Sequence, residues 1–278
     1  MAGAAACAGA ALLLLILGPA RSGAAADRQE GSLSVALPPA ASDQIYGAPG
    51  TAGRPIVVID AGHGGSDPGA VSVSGQVFEK QLTLALAAEL RDLLVERGRV
   101  RVAMTRTDDR YLTLEDRAAV ARRLGAGLFV SLHMDSAPNP LARGASIYSL
   151  SDVASDPEAA RFAMAQNRGA VTDIGDGSAQ ALLSDLAMRD QMDASAAFAL
   201  RLVGKSAGRF ELRPEPHRFA AFHVLRRAGT PAILFEAGYI SNADDELLLR
   251  DPRYRSAMAL ALAQAIEADV AMRRGRQS

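Results

Sequence analysis

The stretch Ile56–Ala70, which reads IVVIDAGHGGSDPGA, decides the fold class and holds the first candidate site residue. Four apolar residues lead to Asp60, and a short apolar run of this kind indicates a strand that is buried on both faces. His63 then follows, with glycines on either side. Either the glycines serve only a turn, or they keep the backbone thin so that the imidazole can reach an ion or a substrate.

Length and composition favour a single globular domain. The chain has 278 residues, of which 49% are apolar, and its formal net charge is -1. A chain of this size can bury one sizeable α/β core. Because the charge is balanced and only 5% of the residues are aromatic, the composition argues against a nucleic-acid partner.

Residues 1–26 predict a signal peptide. Their apolar stretch, Ala11–Leu17, is too short to span a bilayer, and the small residues Ala24–Ala26 fit a signal-peptidase cleavage site. The alternative is an uncleaved membrane anchor. Cleavage would remove Cys7, the only cysteine, and with it any disulfide, thiolate metal site or cysteine nucleophile. We therefore expect a periplasmic protein with no stable membrane insertion, and a flexible linker over residues 27–54.

From residue 55 to about residue 275, apolar strands alternate with amphipathic helices. In the first helix, leucines recur at the spacing of one buried face. This alternation predicts an α/β fold, a single domain with a central mixed β-sheet flanked by helices on both faces. The predicted strands are Ile56–Asp60, Val100–Thr105, Leu128–His133, Ala145–Leu150, Val224–Leu225 and Ala232–Glu236, and the predicted helices are Glu79–Arg97, Thr113 to about Leu124, most of 151–209, and Ser256–Met272.

Titratable residues stand at the ends of three apolar strands. His63 follows IVVID, His133 ends LFVSLH, and Glu236 ends AILFE. Ligand sites in such sheets are built at the carboxyl ends of the strands. Glu79 is a fourth candidate, because it shares the buried leucine face of the first helix. The helix dipole favours a carboxylate there by only about 0.3–1 kcal/mol, so a buried Glu79 needs a cationic partner.

Two imidazoles and one carboxylate form the ligand set of a catalytic zinc site, with a fourth position left for water. His63, Glu79 and His133 would supply this set, and Glu236 would transfer protons beside it. Each residue also has a structural interpretation. His63 could be incidental to its loop, and His133 could be a core histidine. Either glutamate could pair with an arginine or lysine.

Six blocks of the sequence, in order, resemble the catalytic domain of zinc-dependent N-acetylmuramoyl-L-alanine amidases of the periplasmic cell-division type. They are VVIDAGHGGSDPGA, FEKQLTLALAAELRDLL, VAMTRTDDRYLTLEDRAAVA, LFVSLHMDSAPN, GASIYSLSDVASD and PAILFEAGYISNADDE. The resemblance implies a catalytic domain over residues 55–275 and one Zn²⁺ held by His63, Glu79 and His133. It also implies Glu236 as the catalytic residue. The implied reaction is hydrolysis of the amide between N-acetylmuramic acid and L-alanine of peptidoglycan, for daughter-cell separation.

Relatives of this type also suggest how the enzyme is regulated. They often carry an N-terminal targeting domain, for which residues 27–54 are too short. They also carry a helical insert that can cover the zinc, and here it would span about 152–192. Gln166 and Glu158 are the candidate blocking residues, and a LytM-type (M23 peptidase-like) activator would relieve the block. The alternative is that this insert simply packs against the sheet.

Two other functions fit the same residues. One is a zinc carboxypeptidase or deacetylase acting on another cell-wall bond, and the other is an inactive wall-binding module. His217 and His223 are the remaining histidines and thus rival metal ligands. Arg106 is expected to pair with Asp109 or Asp116.

Overall fold

A computed structural model describes residues 41–168 and 179–277 of the chain. The predicted signal peptide, most of the predicted linker and the centre of the predicted insert lie outside the described residues. In chain order the elements are β1 (Ile45–Tyr46), β2 (Ile56–Ala61), α1 (Glu79–Arg97), β3 (Arg101–Met104), α2 (Leu114–Arg123), β4 (Leu128–Asp135), β5 (Ala145–Leu150), α3 (Pro157–Gln166), α4 (Ala179–Ser206), β6 (Leu212–Ala220), α5 (His223–Arg227), β7 (Ala232–Tyr239), α6 (Ala243–Arg250) and α7 (Pro252–Gln277).

The strands form one mixed sheet of seven strands in the order β1-β3-β2-β4-β7-β5-β6. The central strands β3, β2, β4 and β7 run parallel, β5 is antiparallel to β7, and the edge strand β1 is antiparallel to β3. Every residue of β2, β4, β5 and β7 is buried. The predicted mixed α/β sheet is therefore confirmed, and the short apolar runs mark its interior strands.

Helices cover both faces of the sheet and enclose two hydrophobic cores. On one face, α1, α4, α6 and α7 pack over the side chains of β2, β4 and β7 that include Ile59, Leu132 and Phe235. On the other face, α2, α3 and α5 pack over side chains that include Tyr148 and Leu234. The alternation of side chains along each strand divides the two cores.

Side-chain caps begin two of the helices. Thr113 accepts a hydrogen bond from Asp116 N and the Asp116 carboxylate accepts one from Thr113 N, which forms a capping box at the start of α2. Asn242 accepts hydrogen bonds from Asp244 N and Asp245 N and caps α6. The α6 cap holds the chain that leaves β7 in a fixed direction.

Two stretches differ from the sequence prediction. Val224–Leu225 was expected to be a strand, but both residues lie in α5 and are buried in the second core. Two adjacent apolar residues carry no period, so the sequence could not separate the alternatives. The strand β6 was not predicted, because its sequence LRPEPHRFA contains two prolines. Prolines are tolerated there because β6 is an edge strand.

The described part of the predicted linker, residues 41–54, contributes to the sheet. Ile45 and Tyr46 of β1 pair with Ala103 and Val102 of β3. All described residues belong to one compact unit, Pro38–Ser278. Among them, no helix combines the length and the apolar character needed to cross a membrane.

Candidate metal centre

His63 lies in the loop after β2 and has an unusual backbone conformation. Its φ is 60°, the only positive value among the described residues that are not glycine. Such values are uncommon for residues with a side chain, and their cost has to be offset by surrounding contacts. The Nδ1 atom lies 2.8 Å from Oδ2 of Asp67. This contact turns Nε2 of the ring inward.

Glu79 opens α1 and meets His63 in the interior. It is 2% exposed, and its Oε1 lies 3.0 Å from Nε2 of His63 and 3.0 Å from Nδ1 of His133. Backbone N–H groups of Met134 and Ala70 donate to its two oxygens. The cationic partner expected for this carboxylate is thus not an arginine or a lysine. The groups that face it are two imidazoles and two amides.

His133 reaches the same point from the sheet. It lies near the carboxyl end of β4, and its ring centroid is 4.9 Å from that of His63. One ligand atom from each of His63, Glu79 and His133 lies within 4.8 Å of the others. This is the one group of potential metal ligands that the described residues form. The structure therefore brings the three sequence-predicted ligands together.

The glycines around His63 leave room for the ligands. A Cβ placed on Gly62 would lie 2.6 Å from Nε2 of His133, and one on Gly69 would lie 2.6 Å from Oε2 of Glu79. Real Cβ atoms essentially never approach so closely. Glycine is therefore needed at both positions, because any side chain there would collide with His133 or Glu79.

The three candidate ligands strongly affect one another's ionisation. Burial disfavours the charged form of His63, but the Glu79 carboxylate and Asp67 raise its pKa to about 9. Burial would raise the pKa of Glu79, yet the charge of His63 and the hydrogen bond with His133 hold it well below its usual range. Burial lowers the pKa of His133. One proton shared near Glu79 thus supplies the positive charge that the buried carboxylate needs.

The donor set fits a metal ion. Nε2 of His63 is buried and close to Glu79, yet it makes no hydrogen bond of acceptable geometry. Metal ligands point at a common centre, so their atoms lie close together without the geometry of a hydrogen bond. Two nitrogens and one carboxylate oxygen are the set typical of catalytic zinc sites. The Asp67 contact with His63 is the outer support that ligating histidines usually have.

Glu236 lies on β7, directly opposite His133 of β4 in the sheet register. It is fully buried, and within the described residues neither of its carboxylate oxygens has a hydrogen-bond partner. Burial, followed by the charges of Asp135 and Glu79, raises its pKa well above the usual value. Glu236 therefore forms no salt bridge with the described residues. An unsatisfied buried carboxylate beside a ligand cluster is a candidate proton carrier.

A cleft of about 500 Å³ opens in front of the cluster. His63, Glu79 and His133 line it together with Asp135, and the end of α3 forms part of its wall through Phe162 and Gln166. Gln166 therefore lies on the wall of the cleft that the candidate ligands also line. Glu158 does not line the cleft. It lies at the other end of α3, where Arg213 and Arg218 bind it.

The two remaining histidines lie outside the cluster. Nε2 of His217 is 2.9 Å from Oγ of Ser149. His223 begins α5, and neither histidine belongs to the ligand group that the described residues form. The structure thus gives no support to either as a rival ligand.

Sequence reasoning missed residues that support the site. Asp67, four residues after His63, could have been found from that spacing alone. Asp135 continues β4 two residues beyond His133 and faces the same cleft. Arg106 was expected to pair with an aspartate, but it donates instead to backbone carbonyls of Ala61, Gly62, Lys80 and Asp108 and to the Thr83 hydroxyl.

Together, the fold and the site define a class of protein. A parallel sheet core that carries a His₂Glu ligand cluster and a buried glutamate at its strand ends is the framework of a metal-dependent hydrolase. The sequence gives the family: the model of the Amidase_3 family, N-acetylmuramoyl-L-alanine amidase, matches residues 57–268. The chain belongs to this family of enzymes.

Individual relatives agree with this assignment. The N-acetylmuramoyl-L-alanine amidase AmiA of Escherichia coli is 32% identical over 220 residues, which cover 77% of this chain and 75% of AmiA. AmiC of Neisseria meningitidis is 34% identical over 220 residues, covering 77% of this chain and 52% of AmiC. The catalytic domain of CwlV from Paenibacillus polymyxa is 29% identical and superposes with a TM-score of 0.53. That superposition covers 76% of this chain and 96% of the CwlV domain.

Proposed function

We propose that the protein is a zinc-dependent amidase that cleaves the amide between N-acetylmuramic acid and L-alanine in peptidoglycan. The observation that carries this proposal is the convergence of His63, Glu79 and His133 beside Glu236. The relatives are named for the same activity. The cleft in front of the cluster is open to solvent and large enough for part of a polymer chain.

The residues of the chain divide the chemistry between them. His63, Glu79 and His133 would hold one Zn²⁺. When bound, zinc acts as a Lewis acid on the carbonyl oxygen and lowers the pKa of water. Glu236 would take the proton from the attacking water and return it to the leaving amine of L-alanine. Positioned proton transfer of this kind contributes about 10²–10⁴-fold. The burial of Glu236 keeps bulk water away from this proton transfer.

The same proposal includes the setting in which the enzyme acts. The N-terminal sequence supports export to the periplasm, where peptidoglycan is the substrate and daughter-cell separation is the process. A LytM-type (M23 peptidase-like) protein would activate the enzyme by displacing the insert. The position of Gln166 on the wall of the cleft supports a covering role for α3.

Product analysis tests the proposed activity. The purified chain is assayed for bound metal and incubated with muropeptides, and the products are identified by mass spectrometry. An amidase releases intact stem peptides that begin with L-alanine. A carboxypeptidase would instead shorten the peptide, and a deacetylase would release acetate. Tight binding to sacculi with no product would favour the wall-binding module and contradict the proposal.

The proposed regulation has its own test. Dye release from labelled sacculi is measured with the chain alone and after addition of a purified LytM-type protein from a bacterium that carries an AmiC-type amidase. A rise in rate with the added protein supports the cover. Equal rates contradict it, and they leave the amidase activity unaffected.

A further inference from the structure

A second polar centre lies at the beginning of α3. Both carboxylate oxygens of Glu158 are bound there. Arg213 donates to Oε1 at 2.9 Å and to Oε2 at 3.0 Å, and Arg218 donates to Oε2 at 3.3 Å. The Tyr239 hydroxyl donates to Oε1 at 3.0 Å. This is the forked arrangement by which arginine recognises carboxylates.

The groups that bind Glu158 are built into the sheet. Arg213 and Arg218 lie on β6, and Tyr239 ends β7. The Arg218 side chain is 6% exposed, and it is held by Asp156 and by the Tyr148 hydroxyl, to which it donates at 3.0 Å. Arg213 also donates to the Tyr239 hydroxyl. Without Glu158, Arg218 therefore keeps Asp156 and Tyr148, and Arg213 keeps the Tyr239 hydroxyl.

Glu158 differs from its partners in burial and in origin. Its side chain is 34% exposed, and it comes from α3, which packs on the sheet from outside. Hydrogen bonds from Arg213, opposed in part by burial, lower the pKa of Glu158 to about 2. Without Glu158, Asp156 is the one carboxylate that the described residues pair with the two arginines, and one positive charge would lose its ion pair. The site is thus shaped and charged for one carboxylate from outside the sheet.

This centre lies beside the cleft. Tyr239 stands opposite Asp135 of β4 in the sheet register, and Asp135 lines the cleft two residues beyond His133. Three strand spacings separate β4 from β6, or about 14 Å. An extended peptide covers that distance in about four residues. A peptide whose first amide lies at the metal centre can therefore reach the arginines.

We propose that Arg213, Arg218 and Tyr239 form a binding site for a carboxylate of the peptide part of the substrate, and that Glu158 occupies this site as an internal competitor. The identity of the ligand rests on the proposed amidase function, whereas the presence of a carboxylate site does not. Substrate peptides with a free carboxylate must displace Glu158 before they bind fully. Glu158 therefore acts on substrate affinity at a place distinct from the metal centre.

Direct binding tests the site without turnover. The probe is the dipeptide L-alanyl-D-glutamate, with its diamide as the uncharged comparison, titrated calorimetrically into the full chain. Glu158→Ala is expected to bind the acidic dipeptide at least about tenfold more tightly than wild type, because charge-assisted hydrogen bonds become available. Binding of the diamide is expected to stay unchanged. Adding Arg213→Met to Glu158→Ala is expected to remove the gain.

A matched control separates this effect from general loss of negative charge. Glu115 is also bound by two arginines, Arg122 and Arg227, and it does not line the cleft. Glu115→Ala is expected to leave dipeptide binding at the wild-type level. Equal dipeptide affinity in wild type and Glu158→Ala, with unchanged thermal unfolding, would overturn the proposal. Because the comparison of wild type with Glu158→Ala does not use the Arg213 variant, it tests the proposal even if that variant does not fold.

Activity assays keep the two proposals apart. Muropeptides with free carboxylates and with amidated ones are compared as substrates. Glu158→Ala is expected to lower KM for the acidic substrate severalfold and leave KM for the amidated substrate unchanged. Equal effects on both substrates would overturn the carboxylate site and leave the amidase function standing. Absence of hydrolysis in all chains would refute the amidase function, while the dipeptide titration would still report on the arginines.

Discussion

Arg117 and Asp60 form a fully buried ion pair beneath the loop that carries His63, with Nη1 of the arginine 2.9 Å from Oδ1 of the aspartate. Arg117 also donates to the carbonyl oxygens of Ala61 and His63. Burial alone would raise the pKa of Asp60, but the charge of Arg117 and hydrogen bonds from Ser131 and Thr105 hold it below the usual value. The pair therefore connects α2 to the end of β2 and fixes the backbone of the candidate ligand His63.

Replacing Arg117 by methionine should destabilise the protein strongly. The change leaves the Asp60 charge without its cationic partner and the His63 carbonyl without the donor that Arg117 supplies, whereas the Ala61 carbonyl keeps Arg106. We expect a loss of about 3–5 kcal/mol in the free energy of unfolding, measured by urea denaturation. Arg122→Met, on the exposed side of the same helix, should change stability by less than about 0.5 kcal/mol. Similar values for both variants would show that the buried pair has no special role.

Adding Asp60→Asn should recover part of that loss. The double variant Arg117→Met/Asp60→Asn no longer carries an uncompensated buried charge, so its coupling energy should be favourable, by about 0.5–3 kcal/mol. Strict additivity of the two single changes would contradict a direct interaction.

Glu236→Gln should abolish turnover and retain the metal. The amide has nearly the same shape as the carboxylate but cannot accept a proton from water, so we expect kcat to fall by about 10²–10⁴-fold. Metal content, measured by mass spectrometry, should equal that of wild type, because Glu236 is not one of the three converging ligands. Full activity of the variant would assign the proton transfer to another residue. Asp135, which also lines the cleft, would then be the next residue to replace.

Gly62→Ala should weaken metal binding through a steric effect alone. The new methyl group would enter the space of the His133 ring. We expect a loss of about tenfold or more in metal affinity, measured by competition with a chelating dye. Gly204 in α4 has no atom within 4 Å of the corresponding position. Gly204→Ala should leave metal affinity unchanged and raise stability by about 0.5–1 kcal/mol, so equal metal affinity in the two variants would argue against the clash.

Metal binding should release a proton from His63. Without metal the pKa of His63 is raised to about 9, so below that pH the ring carries a proton that a metal must displace. The apparent metal affinity should therefore increase by up to about tenfold per pH unit between pH 6 and pH 8, and level off above about pH 9. Calorimetry in buffers of different ionisation enthalpy measures the released proton.

The Asp67 carboxylate provides a control for this proton release. Asp67 contributes to the raised pKa of His63 through a hydrogen bond. Asp67→Asn should therefore lower that pKa, and the pH dependence of metal binding should become shallower in the neutral range. A steep and unchanged dependence in the variant would place the displaced proton elsewhere.

Gln166→Glu should lower activity by adding a carboxylate to the wall of the cleft. A carboxylate is a good zinc ligand and an amide is a poor one, so the variant should bind metal more tightly and turn over more slowly, by about tenfold. Gln264→Glu is the control, because Gln264 accepts a hydrogen bond from Arg209 at the surface. Equal activity of both variants and wild type would remove Gln166 from the regulation of the site.

The sheet and the ligand cluster could be predicted because their signals are local. The apolar runs around Ile59, Leu132 and Phe235 are too long and too apolar for exposed loops, and each delivers its polar residue at a strand end. Parallel strand ends meet at one edge, so residues distant in sequence become neighbours. Glu79 was found because it shares the buried face of α1 with Leu82.

The supporting groups could not be predicted because they depend on distant partners. Arg117 and Asp60 lie 57 residues apart in the chain, and an arginine in an amphipathic helix gives no sign of being buried. Glu158 was considered as a metal ligand, yet its partners Arg213 and Arg218 come from β6, a strand whose prolines hide it from pattern analysis. Such contacts follow from the assembled sheet and not from any local period.

In the described part of the chain, both edges of the sheet are poor templates for a further strand. One edge strand, β1, has two residues, and in the other, β6, Pro214 and Pro216 interrupt the row of amide donors. Copies of the chain that meet edge to edge therefore lack a continuous ladder on which to polymerise. Edge strands of this kind disfavour the strand-to-strand pairing that leads to β-aggregation.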